Sequence, residues 1–266
     1  MRRRIGALVA GDPERGWSLE WFARRMRDAL PFRDALSIGS GTGAAERHLV
    51  SLGAVESITA IDPSATAIGH AEKAAAEAGL AGRISHAVAD AHSWLGNGRQ
   101  WDAVFFHGSL HHLDRLPELF ALLESALRPG GILFLDEYVG PSRGEWSWPR
   151  MIVPNLAYRA LPRSVRRTRI VRAPVTDDDP TEMICASEIA PLVRRHFEVV
   201  EWRNYGGNLV SLVYPNLRKP AAGDAEAQRI FGRALERLFR MEDFLLRHPW
   251  LPAGKSLYAV VIARKR

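Results

Sequence analysis

The chain has 266 residues, 47% of them apolar and 25% charged, with 36 Lys and Arg against 30 Asp and Glu for a formal net charge of +6. This composition excludes a disordered or fibrous protein and supplies enough apolar residues for a core. The single cysteine, Cys185, excludes an internal disulfide framework, and the small basic excess suits anionic partners without naming one.

The opening MRRRIGALVAGDPERG is basic, but its short apolar run does not make a signal peptide, and no later stretch is long enough to span a bilayer. The expected location is the cytoplasm. Residues 1–33 read as an N-terminal helical segment. At 34–53, DALSIGSGTGAAERHLVSLG, a short strand breaks into Gly39, Gly41 and Gly43 and resumes at helical spacing. Such a turn needs backbone conformations closed to other residues, or a neighbour too close to leave room for a Cβ. It also aims free N–H groups at an anionic ligand. A tight turn packed only on its own sheet is the alternative.

SITAID at 57–62 reads as a second strand, followed by the helical SATAIGHAEKAAAEAG. RISHAVAD at 83–90, WDAVFFHG at 101–108 and GILFLDEY at 131–138 read as the third, fourth and fifth strands. Between the last two, LPELFALLESALRPGG sets Leu116, Phe120, Leu123 and Leu127 on one helical face before a Pro-Gly-Gly stop. The alternation predicts an α/β, Rossmann-like, doubly wound and mainly parallel sheet that binds ligands at the carboxyl ends of its strands. No internal repeat or low-complexity tract interrupts it.

The strand ends carry chemistry. Asp62 can accept from both hydroxyls of a ribose, although in DPS it also reads as a helix cap with Pro63 at the first helical position. Asp90, followed by Ala91, can reach an adenine amino group or cap a helix. HGSLHH places His107, His111 and His112 after the fourth strand, and the fifth ends in Asp136, Glu137 and Tyr138.

Together these motifs resemble the class I S-adenosylmethionine-dependent methyltransferases of the small-molecule type, over residues 17–138 with a weaker continuation from 183. ALSIGSGTG resembles the family's first motif, ITAID its ribose-binding strand and VADAHSW its adenine loop. WDAVFFHGSLHHL and LRPGGILFLDE resemble its fourth and fifth strands. The resemblance implies a seven-stranded sheet with an antiparallel last strand, FEVVEWR at 197–203 and SLYAVVIARKR at 256–266 being the final pair. It implies S-adenosyl-L-methionine as cofactor, held by Gly39, Ser40, Gly41, Gly43, Asp62, Pro63, Asp90, Ala91 and His107. One position departs from the pattern: Ser37 stands where the family commonly has the acid two residues before the first glycine. GSGTGA also satisfies a dinucleotide pattern with Ala44 as its last member. An NAD(P)-dependent oxidoreductase is therefore the rival, and a non-catalytic S-adenosylmethionine-binding protein the other alternative.

Methyl transfer asks chiefly for in-line positioning, with a base only where the acceptor loses a proton. His111, His112 and Glu137 are the candidates, with one of the adjacent histidines expected to be structural. Cys185 is expected to be inert and no metal is expected, because the spacing shows no ligand set. The Asp/Asn-Pro-Pro-Tyr motif of base methylation is missing after the fourth strand, which argues against nucleic acid. The expected acceptor is a small molecule or a glycan or lipid intermediate, methylated at oxygen.

The core is assigned to 34–138, a cap insertion to 139–182, and the rest of the core to 183–266 with a helical insertion at about 204–255. The amphipathic stretch AEAQRIFGRALERLFRMEDFLLRH has Ile230, Leu235, Leu238, Phe239 and Leu245 among its apolar positions. A dimer interface is the alternative to a cap, and the oligomeric state stays open. Arg159, Arg163, Arg166, Arg167, Arg169 and Arg172, with no acid among them, suit an anionic acceptor. A solvated basic face and nucleic acid are the alternatives, and peripheral membrane contact is compatible with the chain.

Overall fold

The computed structural model describes residues 2–14, 18–175 and 178–266. The strands are β1 (Phe32–Ile38), β2 (Val55–Asp62), β3 (Ile84–Val88), β4 (Trp101–His107), β5 (Leu127–Tyr138), β6 (Phe197–Gly206) and β7 (Tyr258–Lys265). In β1, four consecutive residues from Ala35 to Ile38 are buried, as in a central strand covered on both faces. The sheet runs β3-β2-β1-β4-β5-β7-β6, with the first five strands parallel and β7 antiparallel to both neighbours. The winding reverses between β1 and β4, so their carboxyl ends flank the crevice where such sheets bind ligands.

The helices are α1 (Arg2–Ala10), α2 (Ser18–Arg25), α3 (Ala44–Ser51), α4 (Ala65–Glu77), α5 (Ala91–Leu95), α6 (Leu116–Ala126), α7 (Ile152–Arg159), α8 (Ala186–His196), α9 (Val210–Val213) and α10 (Ala225–Arg247). Because side chains alternate along a strand, β1 sends Ala35 into one apolar layer and Leu36 and Ile38 into the other. The first layer is closed by α1 to α4 and the second by α5, α6 and α8. Phe22 of α2 packs edge-on against Phe105 and Phe134, with centroids at 5.2 and 4.9 Å, and so seats the N-terminal helices on the sheet.

The helix expected from the amphipathic stretch is α10. Its buried line is Ala234, Leu238, Glu242 and Leu245, while Ile230, Leu235 and Phe239 are partly covered. Glu242 is a buried charge with full partnership. It accepts from Leu209 N and Val210 N at 3.0 and 2.9 Å and pairs with Arg4 at 3.0 Å, which ties α10 to α9 and α1.

Candidate cofactor and acceptor site

The glycine turn between β1 and α3 serves two purposes at once. Gly39, Gly41 and Gly43 have φ of 71°, 53° and 73°, a left-handed region that suits glycine. A Cβ on Gly39 would collide with the Ser109 side chain, so this glycine permits close packing on the loop after β4. A Cβ on Gly41 would meet no atom within 4 Å, so this backbone faces open space. The turn is pinned to β2: Gly39 N and Ser40 N donate to Ile61 O at 2.8 and 3.1 Å, and Gly41 N donates to Asp62 Oδ2 at 2.9 Å.

Asp62 also accepts from Ser64 N through Oδ1 at 2.9 Å. The α4 cap itself is Ser64, which accepts from Ala67 N, so Pro63 lies before the cap and not at the first helical position expected of it. Each Asp62 oxygen keeps acceptor capacity for a hydroxyl. Asp90 does cap its helix, accepting from Ser93 N at 3.0 Å and Ser93 Oγ at 3.2 Å. The hydrogen bond from the Ser93 amide draws its pKa below the usual aspartate value. Ala91 is buried in the core, which leaves its backbone as its means of meeting a ligand.

The missing acid at position 37 has a structural counterpart that the spacing did not reveal. The Ser37 hydroxyl donates to Oε1 of Glu46, a fully buried residue of α3, while Glu46 Oε2 is buried without a hydrogen-bond partner among the described residues. Burial pushes the Glu46 pKa upward, opposed by the Ser37 hydrogen bond. His107, at the end of β4, lies 3.4 Å from Asp136, which also accepts from the Ser18 and Tyr205 hydroxyls.

On the acceptor side, a short helical turn at Leu110–His112 follows β4, and Glu137 rises beside it from β5. Glu137 is 1% exposed. Its Oε1 accepts from Ser109 N and Leu110 N at 2.7 and 2.8 Å, and its Oε2 lies 2.6 Å from His111 Nδ1. Burial opposes charge on His111, but the hydrogen bond and charge of Glu137, reinforced by Glu182 and Asp179, hold its pKa above the ordinary histidine value. Ser109 joins the two halves of the site: its hydroxyl donates to Ile38 O at 2.6 Å at the head of the glycine turn.

His112 is more exposed, with Nδ1 3.1 Å from the Thr181 hydroxyl. Ile184 N donates to His111 O, and this contact brings Glu182 near both histidines, at 3.7 Å from His111 Nε2 and 3.4 Å from His112 Nε2. The three could hold a cation, since one ligand atom of each lies within 4.8 Å of the others. Sequence spacing gave no sign of Glu182.

Beyond the end of β5 lies a cavity of about 770 Å³ whose walls include Gly140, Trp146, Arg150, Asn208, Trp250 and Lys255. His111 is not in its wall. Tyr138 stands between them, its ring 6.0 Å from that of His111 and its hydroxyl donating to Pro141 O at the cavity wall. Asn208 is buried and its Oδ1 has no hydrogen-bond partner among the described residues, an acceptor left for something else. None of the six arginines of 159–172 lines this cavity, so the structure does not support their direct contact with an acceptor bound there.

Residues 35–131 match the family model described as "Methyltransferase domain". A curated relative, the ubiquinone biosynthesis O-methyltransferase of Methylobacterium nodulans, is 34% identical over 120 residues, covering 42% of this chain and 45% of its own. The chain spans less than half the length of the curated relatives it matches. Among solved structures, the [4+2]-cyclase SpnF superposes with a TM-score of 0.55 at 20% identity, covering 93% of this chain and 80% of that one. Phosphoethanolamine N-methyltransferase 2 of Haemonchus contortus, in complex with S-adenosyl-L-methionine, gives 0.53 at 16% identity, covering 94% and 53%.

Residues 35–131 form a methyltransferase domain, and the seven-stranded sheet has the fold of the class I S-adenosylmethionine-dependent methyltransferases. The cofactor that goes with the domain is S-adenosylmethionine. The residues present fit it: an open Gly41 backbone, a strand-end carboxylate in Asp62 with acceptor capacity to spare, and in Glu46 an acid with one unpartnered oxygen among the described residues. Among the described residues no helix is long and apolar enough to cross a membrane.

Proposed function

We propose that the protein transfers a methyl group from S-adenosylmethionine to a hydroxyl of a small acceptor, with His111 as general base and Glu137 as the residue that orients it. The observation that carries this reading is the buried Glu137–His111 pair, connected through Ser109 to the cofactor turn. When bound, the cofactor supplies an electrophilic methyl on a sulfonium that leaves readily. In the cofactor site, the 39–43 turn, Asp62, Pro63, Asp90, Ala91 and His107 line the crevice, and Glu46 takes over the acidic role absent at Ser37.

Glu137 accepts a hydrogen bond from His111 Nδ1–H and thereby leaves Nε2 unprotonated as the acceptor. Nε2 of His111 would take the proton of the acceptor hydroxyl as that oxygen is methylated. His112 shapes the same wall and needs no proton role. No metal is required on this reading. The segments 139–182 and 204–255 act as a cap that holds the body of the acceptor in the cavity beyond Tyr138, with Asn208 Oδ1 receiving a donor. The cytoplasm, where Cys185 stays reduced, is the location in keeping with this chemistry.

Calorimetry with S-adenosylmethionine and with NADH separates this reading from a nicotinamide enzyme. Labelled-methyl transfer to an extract, and then to fractionated hydroxyl acceptors, tests catalysis. Binding of NADH in preference to S-adenosylmethionine, or tight cofactor binding with no acceptor in any fraction, would remove the proposal.

A further inference from the structure

Two of the arginines that stay outside the cavity, Arg159 and Arg172, flank an exposed apolar face. Trp148, Ile152 and Leu156 recur every four residues through the turn leading into α7 and through α7 itself, so they share one side. They are 78%, 39% and 62% exposed, and Ile170 beside them is 45% exposed. The four line one shallow groove together with Arg159 and Arg172. Arg169, which shares a neighbouring hollow with Ile170 and Arg172, is exposed, as are Arg150, Arg163 and Arg167. Among the described residues, none of the six arginines of 159–172 forms an ion pair with an acidic side chain.

An apolar centre with an exposed tryptophan and a rim of unpaired arginines is the chemistry of a surface that enters the headgroup boundary of an anionic bilayer. A second copy of the chain is a poor occupant, because a symmetric contact would set the same arginines against each other. Nucleic acid would engage the arginines but leave Ile152, Leu156 and Ile170 without a partner. We propose that this face docks the protein on a membrane containing anionic phospholipids.

The face adjoins the mouth of the cavity. Trp146 lines both the groove and the cavity, Arg150 lines the cavity, and Trp250, also on its wall, is 75% exposed. A docked protein therefore presents the cavity to the lipid surface, and the acceptor class this favours is an amphipathic molecule drawn from the bilayer. That last step rests on reading the cavity as the acceptor site, whereas the docking itself does not.

The test is co-sedimentation of the full chain with vesicles of phosphatidylcholine alone and with about one-third phosphatidylglycerol, at low and high salt. Binding is expected to be at least about tenfold stronger on the anionic vesicles and to weaken as salt rises. Trp148→Ser with Leu156→Ser should lower it by about tenfold or more. Arg159→Gln with Arg172→Gln should remove most of the preference for anionic lipid. These are surface changes, and unaltered thermal midpoints and S-adenosylmethionine binding verify that the variants are folded. Absence of binding to anionic vesicles overturns the proposal, as does unchanged binding by the Trp148/Leu156 variant. Salt-sensitive binding of duplex DNA with no vesicle binding would assign the face to nucleic acid instead. Because cofactor binding and methyl transfer are measured apart from vesicle binding, failure of docking and failure of the proposed activity are distinguishable.

Discussion

Replacing Glu137 by glutamine tests the proposed base most directly, because the structure separates its two tasks. Oε1 holds the amides of Ser109 and Leu110, and the glutamine carbonyl can continue to accept from both. Oε2 faces His111 Nδ1 at 2.6 Å, where the substitution puts an NH₂ donor. His111 then meets that donor with an unprotonated Nδ1, and its proton moves to Nε2, the atom that has to be free. Loss of a general base costs about 10²–10⁴-fold in rate. Loss of the charge-assisted hydrogen bond costs about 1.5–3 kcal/mol of stability, so the variant should fold with a lowered midpoint. Labelled-methyl turnover reports the rate and calorimetry the retained cofactor affinity. Nitrogen NMR of the imidazole reports the tautomer before any acceptor is known: Nδ1–H in the parent protein and Nε2–H in the variant. A variant that turns over within about threefold of the parent, or keeps the Nδ1–H tautomer, would refute the assignment.

Removing the Asp62 carboxylate, as in Asp62→Ala, should weaken S-adenosylmethionine binding by about 1.5–3 kcal/mol, or roughly 10–150-fold. Unchanged affinity in a folded variant would confine Asp62 to bracing the turn. Because the His111 pKa is raised, turnover should climb with pH through a value above the unperturbed ~6.5, since the base must be neutral. The stability contributed by the same pair should be fully present below the unfolded-state pKa and lost as pH rises through the folded one; a turnover limb at or below the unperturbed value counts against the pairing. Asn208→Leu should raise the acceptor KM about tenfold or more, by removing the unpartnered Oδ1, while cofactor affinity stays as before. Treatment with a chelator should leave turnover unchanged. A loss restored by a divalent ion would instead make His111, His112 and Glu182 a metal centre.

The repeating strands and helices, the glycine turn and the strand-end residues Asp62, Asp90, His107, His111 and Glu137 were all legible in the chain. Each rests on short-range chemistry: apolar periodicity, left-handed backbone at glycine, and the rule that parallel strands deliver their carboxyl ends to one edge. What each of those residues touches was not legible. Gly39 and Gly41 look alike in sequence, yet one is required by Ser109 of a distant loop and the other faces open space. Asp90 reads equally as ligand contact and cap, and only its position relative to Ser93 shows that it caps. Glu46, Glu182 and Asn208 carry no local signature. Only the fold draws attention to them: α3 sets Glu46 against Ser37, the Ile184–His111 hydrogen bond brings in Glu182, and the packing around the cavity leaves Asn208 Oδ1 unpartnered among the described residues. The arginine run shows the same division. Its charge is a property of the sequence, but whether that charge faces a cavity or, as at Arg159 and Arg172, flanks an exposed apolar surface depends on how α7 and the segment after it pack. Burial and partnership are long-range properties, set by which surfaces the fold brings together.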